Sequence, residues 1–130
     1  MKQLPAVILA AGKGQRLGNL TEDIPKPMVE VNEVKIIDKL LSALIENNIR
    51  QVIVVTGYLH EILANHLQQY NDKIDLKIIK NEIYDTTNNI YSLWKAEKYL
   101  KNGFFLFEAD IFIDPTIVKE LLNSPHDNVM

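Results

Sequence analysis

A few groups of residues in this 130-residue chain have the types and spacing to do chemistry. The first is the glycine-rich run Ala10-Ala11-Gly12-Lys13-Gly14-Gln15-Arg16-Leu17-Gly18. Gly12 and Gly14 have access to backbone conformations closed to other residues, so their N–H groups can converge on phosphate oxygens. Arg16 adds a permanently charged, bidentate phosphate donor. Such a turn serves equally well as a plain connection. The second group is Pro25-Lys26-Pro27, where two restricted residues flank one ammonium. A fixed cation suits phosphoryl chemistry, which relies on positioning and charge neutralisation; otherwise Lys26 is a solvated side chain in a proline turn. The third is Asp110, which follows the apolar run 104–109 (FFLFEA). A carboxylate at the end of a buried strand is well placed for Mg²⁺, a hard oxygen-seeking ion, or it simply ends the strand. Asp114, ahead of Pro115, reads as a helix cap. Glu108 alternates with the apolar positions and is read as facing away from any site.

The elements that must position these groups alternate regularly. Residues 4–10 (LPAVILA) read as a short apolar strand. Residues 12–27 show no periodicity, and such long connections are usually functional. Residues 28–31 form a short extended piece. Ile37, Leu40, Leu41, Leu44 and Ile45 make one helical stripe that Asn47 and Asn48 can stop. Strand 51–56 ends at Gly57, and Leu59, Ile62, Leu63, His66, Leu67 and Tyr70 mark a second helix. Strand 76–80 leads into a polar loop, 81–87. Asn88 or Asn89 can cap a third helix with Ile90, Leu93, Trp94 and Leu100 on its inner side. Asn102-Gly103 is its stop signal. Strand 104–109 follows, then a last short helix over 116–122.

This order predicts a Rossmann-like, three-layer α/β/α fold with a mostly parallel sheet, in a single domain over residues 1–130. Ligands in such sheets bind beyond the carboxyl ends of the strands, which puts Gly12 and Asp110 on one rim. The ending Asp127-Asn128-Val129-Met130 looks like a turn entering another strand, so the chain is expected to continue beyond it.

Bulk properties exclude several functions. A net charge of -3 and a pI near 5.6 argue against a nucleic-acid surface. With no cysteine there is no disulfide, thiolate catalysis or Cys-based zinc site, which suits a cytoplasmic protein. His60, His66 and His126 lie at no metal-site spacing and read as surface or partly buried residues. Lys2 with the apolar run after it is too weak for a signal peptide, and no stretch is long enough to span a membrane. The dinucleotide fingerprint needs glycine where Leu17 stands, and a Walker A loop needs Gly-Lys-Ser/Thr. Thr56, where a dehydrogenase would have an acidic residue, also disfavours that class.

Taken in order, Leu-Ala-Ala-Gly-x-Gly-x-Arg-Leu (residues 9–17), Thr21, Pro25-Lys26-Pro27-Met28 and a strand ending in Asp110 resemble the nucleotidyltransferase superfamily. That group includes sugar-nucleotide pyrophosphorylases and bacterial cytidylyltransferases. The resemblance covers essentially the whole chain but only the N-terminal part of a typical member. Asn81-x-x-Tyr84 with Asn88-Asn89-x-Tyr91-Ser92-Leu93 is similar to the bacterial phosphocholine and phosphonate cytidylyltransferases. It differs from the glycine-containing base-recognition segment of sugar-directed members, which favours CTP.

The resemblance implies transfer of a nucleotidyl group from an NTP to a phosphorylated or phosphonylated small molecule, with Mg²⁺ and release of pyrophosphate. It implies that Leu9, Ala10 and Ala11 lie along base and ribose through their backbone. Gly12, Gly14 and Arg16 would cradle the phosphates, and Lys26 would neutralise the reacting ones. Asn88, Asn89 and Ser92 would border the base pocket, and Asp110 would bind Mg²⁺. Tyr91 and Trp94 read as core rather than base-stacking residues. A second metal-binding aspartate and the acceptor pocket, with any aromatic walls for a choline group, are expected beyond Met130. Lys35-Ile36 replaces the Lys-Pro of many relatives. Two other readings stay open: a sugar-1-phosphate nucleotidyltransferase, and a nucleotide-binding module that does not catalyse.

Overall fold

The computed structural model describes residues 4–12, 22–109 and 119–120. Within them, apolar runs form four strands, of which the two central ones are buried on both faces and the two outer ones only in part. The four are β1 (Ala6–Ala10), β4 (Gln51–Thr56), β5 (Asp75–Lys80) and β6 (Phe105–Glu108), in one sheet of order β5-β4-β1-β6. Every pairing is parallel. A second, two-stranded ribbon joins β2 (Glu30–Val31) to β3 (Val34–Lys35). Asn32 and Glu33 at its tip both have positive φ, 53° and 69°, the conformation that a tight two-residue hairpin requires. The mostly parallel α/β sheet expected from the alternation is present.

The sheet has helices on both faces, and alternation along the strands divides the core between them. Ala6, Ile8, Ala10, Val52 and Val54 point toward α1 (Ile36–Glu46) and α2 (His60–Leu67), against Ile37, Leu40, Leu41, Leu44, Leu63 and Leu67. Val7, Leu9, Ile53 and Val55 point the other way, toward Leu93 of α3 (Asn89–Lys95) and Ala96 beyond it. Crossovers between parallel strands are right-handed. The steps β1 to β4 to β5 run in one direction across the sheet. The step from β5 to β6 runs back past both β4 and β1. Keeping its hand therefore requires α3 to lie on the opposite face.

Local signals end α1 as the paired asparagines suggest. Asn48 sits in the left-handed region at φ 62°. Its N–H donates to the Ile45 carbonyl at 3.0 Å, and the Ile49 N–H donates to the Leu44 carbonyl at 2.9 Å. This is the two-bond helix stop in which asparagine substitutes for glycine. Leu44 and Ile49 are both core residues, so the stop is packed as well as hydrogen-bonded.

Two expectations for the third helix are corrected. It ends at Lys95 and gives way to a single 3-10 turn, Glu97–Tyr99. Gly103 (φ 106°) stops that later segment rather than α3. Ile90 and Trp94, read as inward-facing, are 75% and 59% exposed. The inner side is instead Ser92, Leu93 and Ala96. A seven-residue helix offers one short stripe to the sheet, and buried Ser92 fixes which stripe that is. Ile62, expected on the apolar side of α2, is also exposed, whereas Leu63, Leu67 and Tyr70 are buried.

His66 is a structural residue. Its Nε2 lies 2.7 Å from Asp38 Oδ1, which also accepts the Tyr70 hydroxyl at 2.6 Å. This cluster ties α1 to the end of α2. Burial, together with the Asp38 carboxylate beside it, raises the Tyr70 pKa well above the ordinary phenol value. Tyr70→Phe should therefore cost about 1.5 kcal/mol, typical of a lost hydrogen bond to a charged group. A raised native pKa makes this contribution complete below the unfolded tyrosine value of about 10 and lost as pH rises beyond it. Urea unfolding at pH 9 and at pH 11 should show the advantage of the parent over Tyr70→Phe shrinking at the higher pH.

Candidate functional site

The sheet reverses its order between β1 and β6, the position where open α/β sheets leave a crevice beyond the strand ends. A cleft of about 120 Å³ lies there, lined by Leu9, Ala10, Gly12, Lys26, Pro27, Asn89, Glu108 and Ala109. The register sets Leu9 beside Glu108, and the Ala109 N–H donates to the Leu9 carbonyl at 3.0 Å. Drug-sized ligands occupy pockets of roughly 300 Å³ or more, so the cleft formed by the described residues is small by that measure.

Each side of the cleft is built from local features. Lys26 opens a single 3-10 turn, Lys26–Met28, after Pro25 (φ -69°). The Met28 N–H donates to the Pro25 carbonyl at 2.9 Å, and the Val29 N–H to that of Lys26 at 3.0 Å. Pro25 and Pro27 are buried, and Met28 packs on the core. The backbone of Lys26 is therefore held on both sides, as two flanking prolines should achieve. Gly12 does not use the left-handed region. Among the described residues, nothing lies within 4 Å of where its Cβ would stand. What Gly12 supplies is room at the floor of the cleft rather than an unusual turn.

The far wall is the start of α3. Asn88 is the cap: its Oδ1 accepts the N–H of Ile90 at 3.1 Å and that of Tyr91 at 3.2 Å. Asn89 is the residue that reaches the cleft, and its Nδ2 donates to Glu108 Oε1 at 2.7 Å. Ser92 is buried away from the cleft, where its hydroxyl accepts from Asn81 Nδ2 at 3.1 Å. Ala11 also stands back from the lining; its carbonyl accepts the Tyr58 N–H at 3.1 Å.

Of the residues singled out in the sequence, Leu9, Ala10, Gly12, Lys26 and Asn89 thus share one cleft. Ala11, Asn88 and Ser92 support it from behind. Gly14, Arg16, Thr21 and Asp110 lie outside the described residues. Glu108 is a correction: it faces the cleft, because the alternation along β6 points Phe107 into the core and Glu108 toward Asn89 at the start of α3. Trp94, read as core, is largely exposed, and Tyr91 is half-buried with its ring 5.5 Å from that of Trp94.

Asn81, in the polar loop 81–87, is 1% exposed and organises this whole side. Its N–H donates to the Thr56 carbonyl at 2.7 Å, its Nδ2 to Thr87 and Ser92, and its Oδ1 accepts the Ile83 N–H. With Thr56 and Ser92 it makes up the buried polar set among the described residues, and no buried side-chain polar atom there lacks a partner. Its place at the head of the Asn-x-x-Tyr motif was the available signal. Among the described residues there is no group of three His, Cys, Asp or Glu side chains able to hold a metal, and no helix long and apolar enough to cross a membrane.

Known proteins are similar to this chain in sequence and fold. The Nucleotidyl transferase family profile matches residues 5–127. A CTP:phosphoglutamine cytidylyltransferase of Campylobacter jejuni is 36% identical over 128 residues, covering 94% of this chain and 49% of the relative. A 2-aminoethylphosphonate cytidylyltransferase of Lancefieldella rimae is 35% identical, covering 83% and 43%. The solved structure of a CTP:phosphocholine cytidylyltransferase from Streptococcus pneumoniae superposes with a TM-score of 0.75 at 35% identity, over 84% of this chain and 46% of that one. The chain spans about half the length of these relatives. Both the match across nearly all of its residues and the shared fold lead to one assignment: this chain belongs to the Nucleotidyl transferase family.

Proposed function

We propose that the protein carrying this chain transfers the cytidylyl group of CTP to a phosphate or phosphonate oxygen of a small molecule. The acceptor oxygen attacks the α-phosphorus, the bond from that phosphorus to the β-phosphate oxygen breaks, and pyrophosphate leaves. The observation that carries this reading is the cleft at the sheet's switch point, where Lys26, Gly12 and Asn89 meet the ends of β1 and β6. The names of the relatives supply the nucleotide and the acceptor class.

In this reading the backbone of Leu9 and Ala10 runs along the nucleoside, and Gly12 leaves room for the chain of phosphates. Gly14 and Arg16 would complete the phosphate cradle, and Lys26 offsets charge on the reacting groups. Ala11, Asn88 and Ser92 hold the walls in place. Mg²⁺ commonly needs only one or two carboxylates besides phosphate oxygens and water. The lack of a ready-made metal cage among the described residues is compatible with that demand. Asp110, next in the chain after cleft-lining Ala109, would hold the ion. When bound, Mg²⁺ supplies positive charge to the phosphates.

Calorimetric titration with CTP, UTP, GTP and ATP, with and without Mg²⁺, tests the proposal. CTP should bind selectively, and more tightly with the metal. Gly12→Val should weaken CTP at least tenfold while leaving the thermal midpoint unchanged, because its side chain would enter open space. Equal affinity for all four nucleotides, or an unaltered variant, would count against the site.

A further inference from the structure

The cleft has a polar edge that backbone contacts and phosphate binding leave unused: the paired side chains of Asn89 and Glu108. Both are exposed, and among the described residues their only side-chain hydrogen bond is to each other. Asn89 is held from behind by the Asn88 cap and by the buried Asn81–Ser92 bond. Glu108 is held by the register that pairs it with Leu9.

The direction of the bond between them matters. One N–H of the Asn89 amide is committed to Glu108 Oε1 at 2.7 Å. What remains toward the cleft is the second carboxylate oxygen, the amide oxygen and one amide N–H. Carboxylates only accept, so this edge is rich in acceptors with a single donor beside them. Cytosine presents an amino donor at N4 next to the N3 acceptor, the complementary pattern. Uracil presents the reverse, a carbonyl next to an N–H, and would set its O4 against the carboxylate.

We propose that Glu108, oriented by Asn89, selects the base by accepting the exocyclic amino group of cytosine. A carboxylate accepting from that amino group is a recognised pairing elsewhere in nucleobase readout. At an exposed edge the discrimination has the modest size of a single base pairing rather than that of a fully buried site. The assignment rests on the cytidylyl reading above and names the group that enforces it.

The test compares Kd for CTP and UTP in the parent protein and in E108Q, with 2′,3′-dideoxy-CTP as a third ligand. E108Q is nearly isosteric at an exposed position, and an unchanged thermal midpoint checks its fold. The preference for CTP over UTP should fall about tenfold to a hundredfold, with dideoxy-CTP weakened in parallel with CTP. Should E108Q fail to fold, Asn89→Ala carries the same expectation at smaller size. If the variant weakens CTP and UTP equally while dideoxy-CTP is unaffected, Glu108 reads the ribose and the assignment is overturned. A CTP-selective protein whose selectivity survives E108Q also overturns it, leaving the cytidylyl reading intact. A parent protein with no preference for CTP overturns that reading and this one together.

Discussion

Lys26→Ala should lower turnover about a hundredfold to a thousandfold, the usual effect of removing one preorganised group that stabilises charge in a transition state. The proposed reaction needs no protein nucleophile, so its barrier depends on holding the phosphates in place and offsetting their charge. Lys26 is the cationic side chain lining the described part of the cleft. The turn that carries it is fixed by backbone hydrogen bonds and two buried prolines. The fold should therefore survive the change. Steady-state kinetics on active protein, beside thermal unfolding, separates the two effects. An unaltered rate would remove Lys26 from the mechanism. A fall in both rate and thermal midpoint would make it structural.

Gly57→Ala should act through the fold, costing about 3 kcal/mol, the upper part of the range for inserting a methyl group into a filled space. Gly57 is buried, and a Cβ there would stand 2.6 Å from Tyr84 Cβ and 2.8 Å from the Ala11 carbonyl oxygen. Neither atom is the free end of a flexible side chain. Relief would have to come from moving the loop after β5, or from breaking the 3.1 Å bond between the Tyr58 N–H and Ala11. Either movement reaches the cleft, since Ala11 precedes Gly12 and the loop leads into α3. Urea unfolding should show the loss, and CTP affinity should fall with it. Adding Tyr84→Gly should recover only part, because the contact with the Ala11 oxygen persists. A Gly57→Ala protein as stable as its parent would mean that these three segments are not packed as described.

Periodicity was sufficient to read the four strands of the parallel sheet, α1 and the asparagine stop, but not the β2–β3 ribbon. Of the extended piece expected over 28–31, Met28 closes a 3-10 turn and only Glu30–Val31 is strand. Five consecutive apolar residues in β1 can only be buried on both faces, and one continuous stripe in α1 permits one orientation. The motifs that brought Gly12, Lys26 and Asn89 to attention are likewise local, and strand order carries them to one rim. Harder to read was whatever depended on which element covers which. Asn81 looks like any polar loop residue until the Thr56 carbonyl and Ser92 close around it. Glu108 looks outward-facing until α3 crosses to the opposite face and brings Asn89 within 2.7 Å.

Trp94 and Ile90 are apolar by type but exposed. The short α3 has a single inner stripe, and the buried bond of Ser92 sets it. Residue types and spacing thus determined the fold class and the chemistry to look for, because both follow from periodicity and local backbone preference. The division between cleft wall and support was decided only by packing. A hydrogen bond between residues 11 or 19 positions apart has no local signature in the chain.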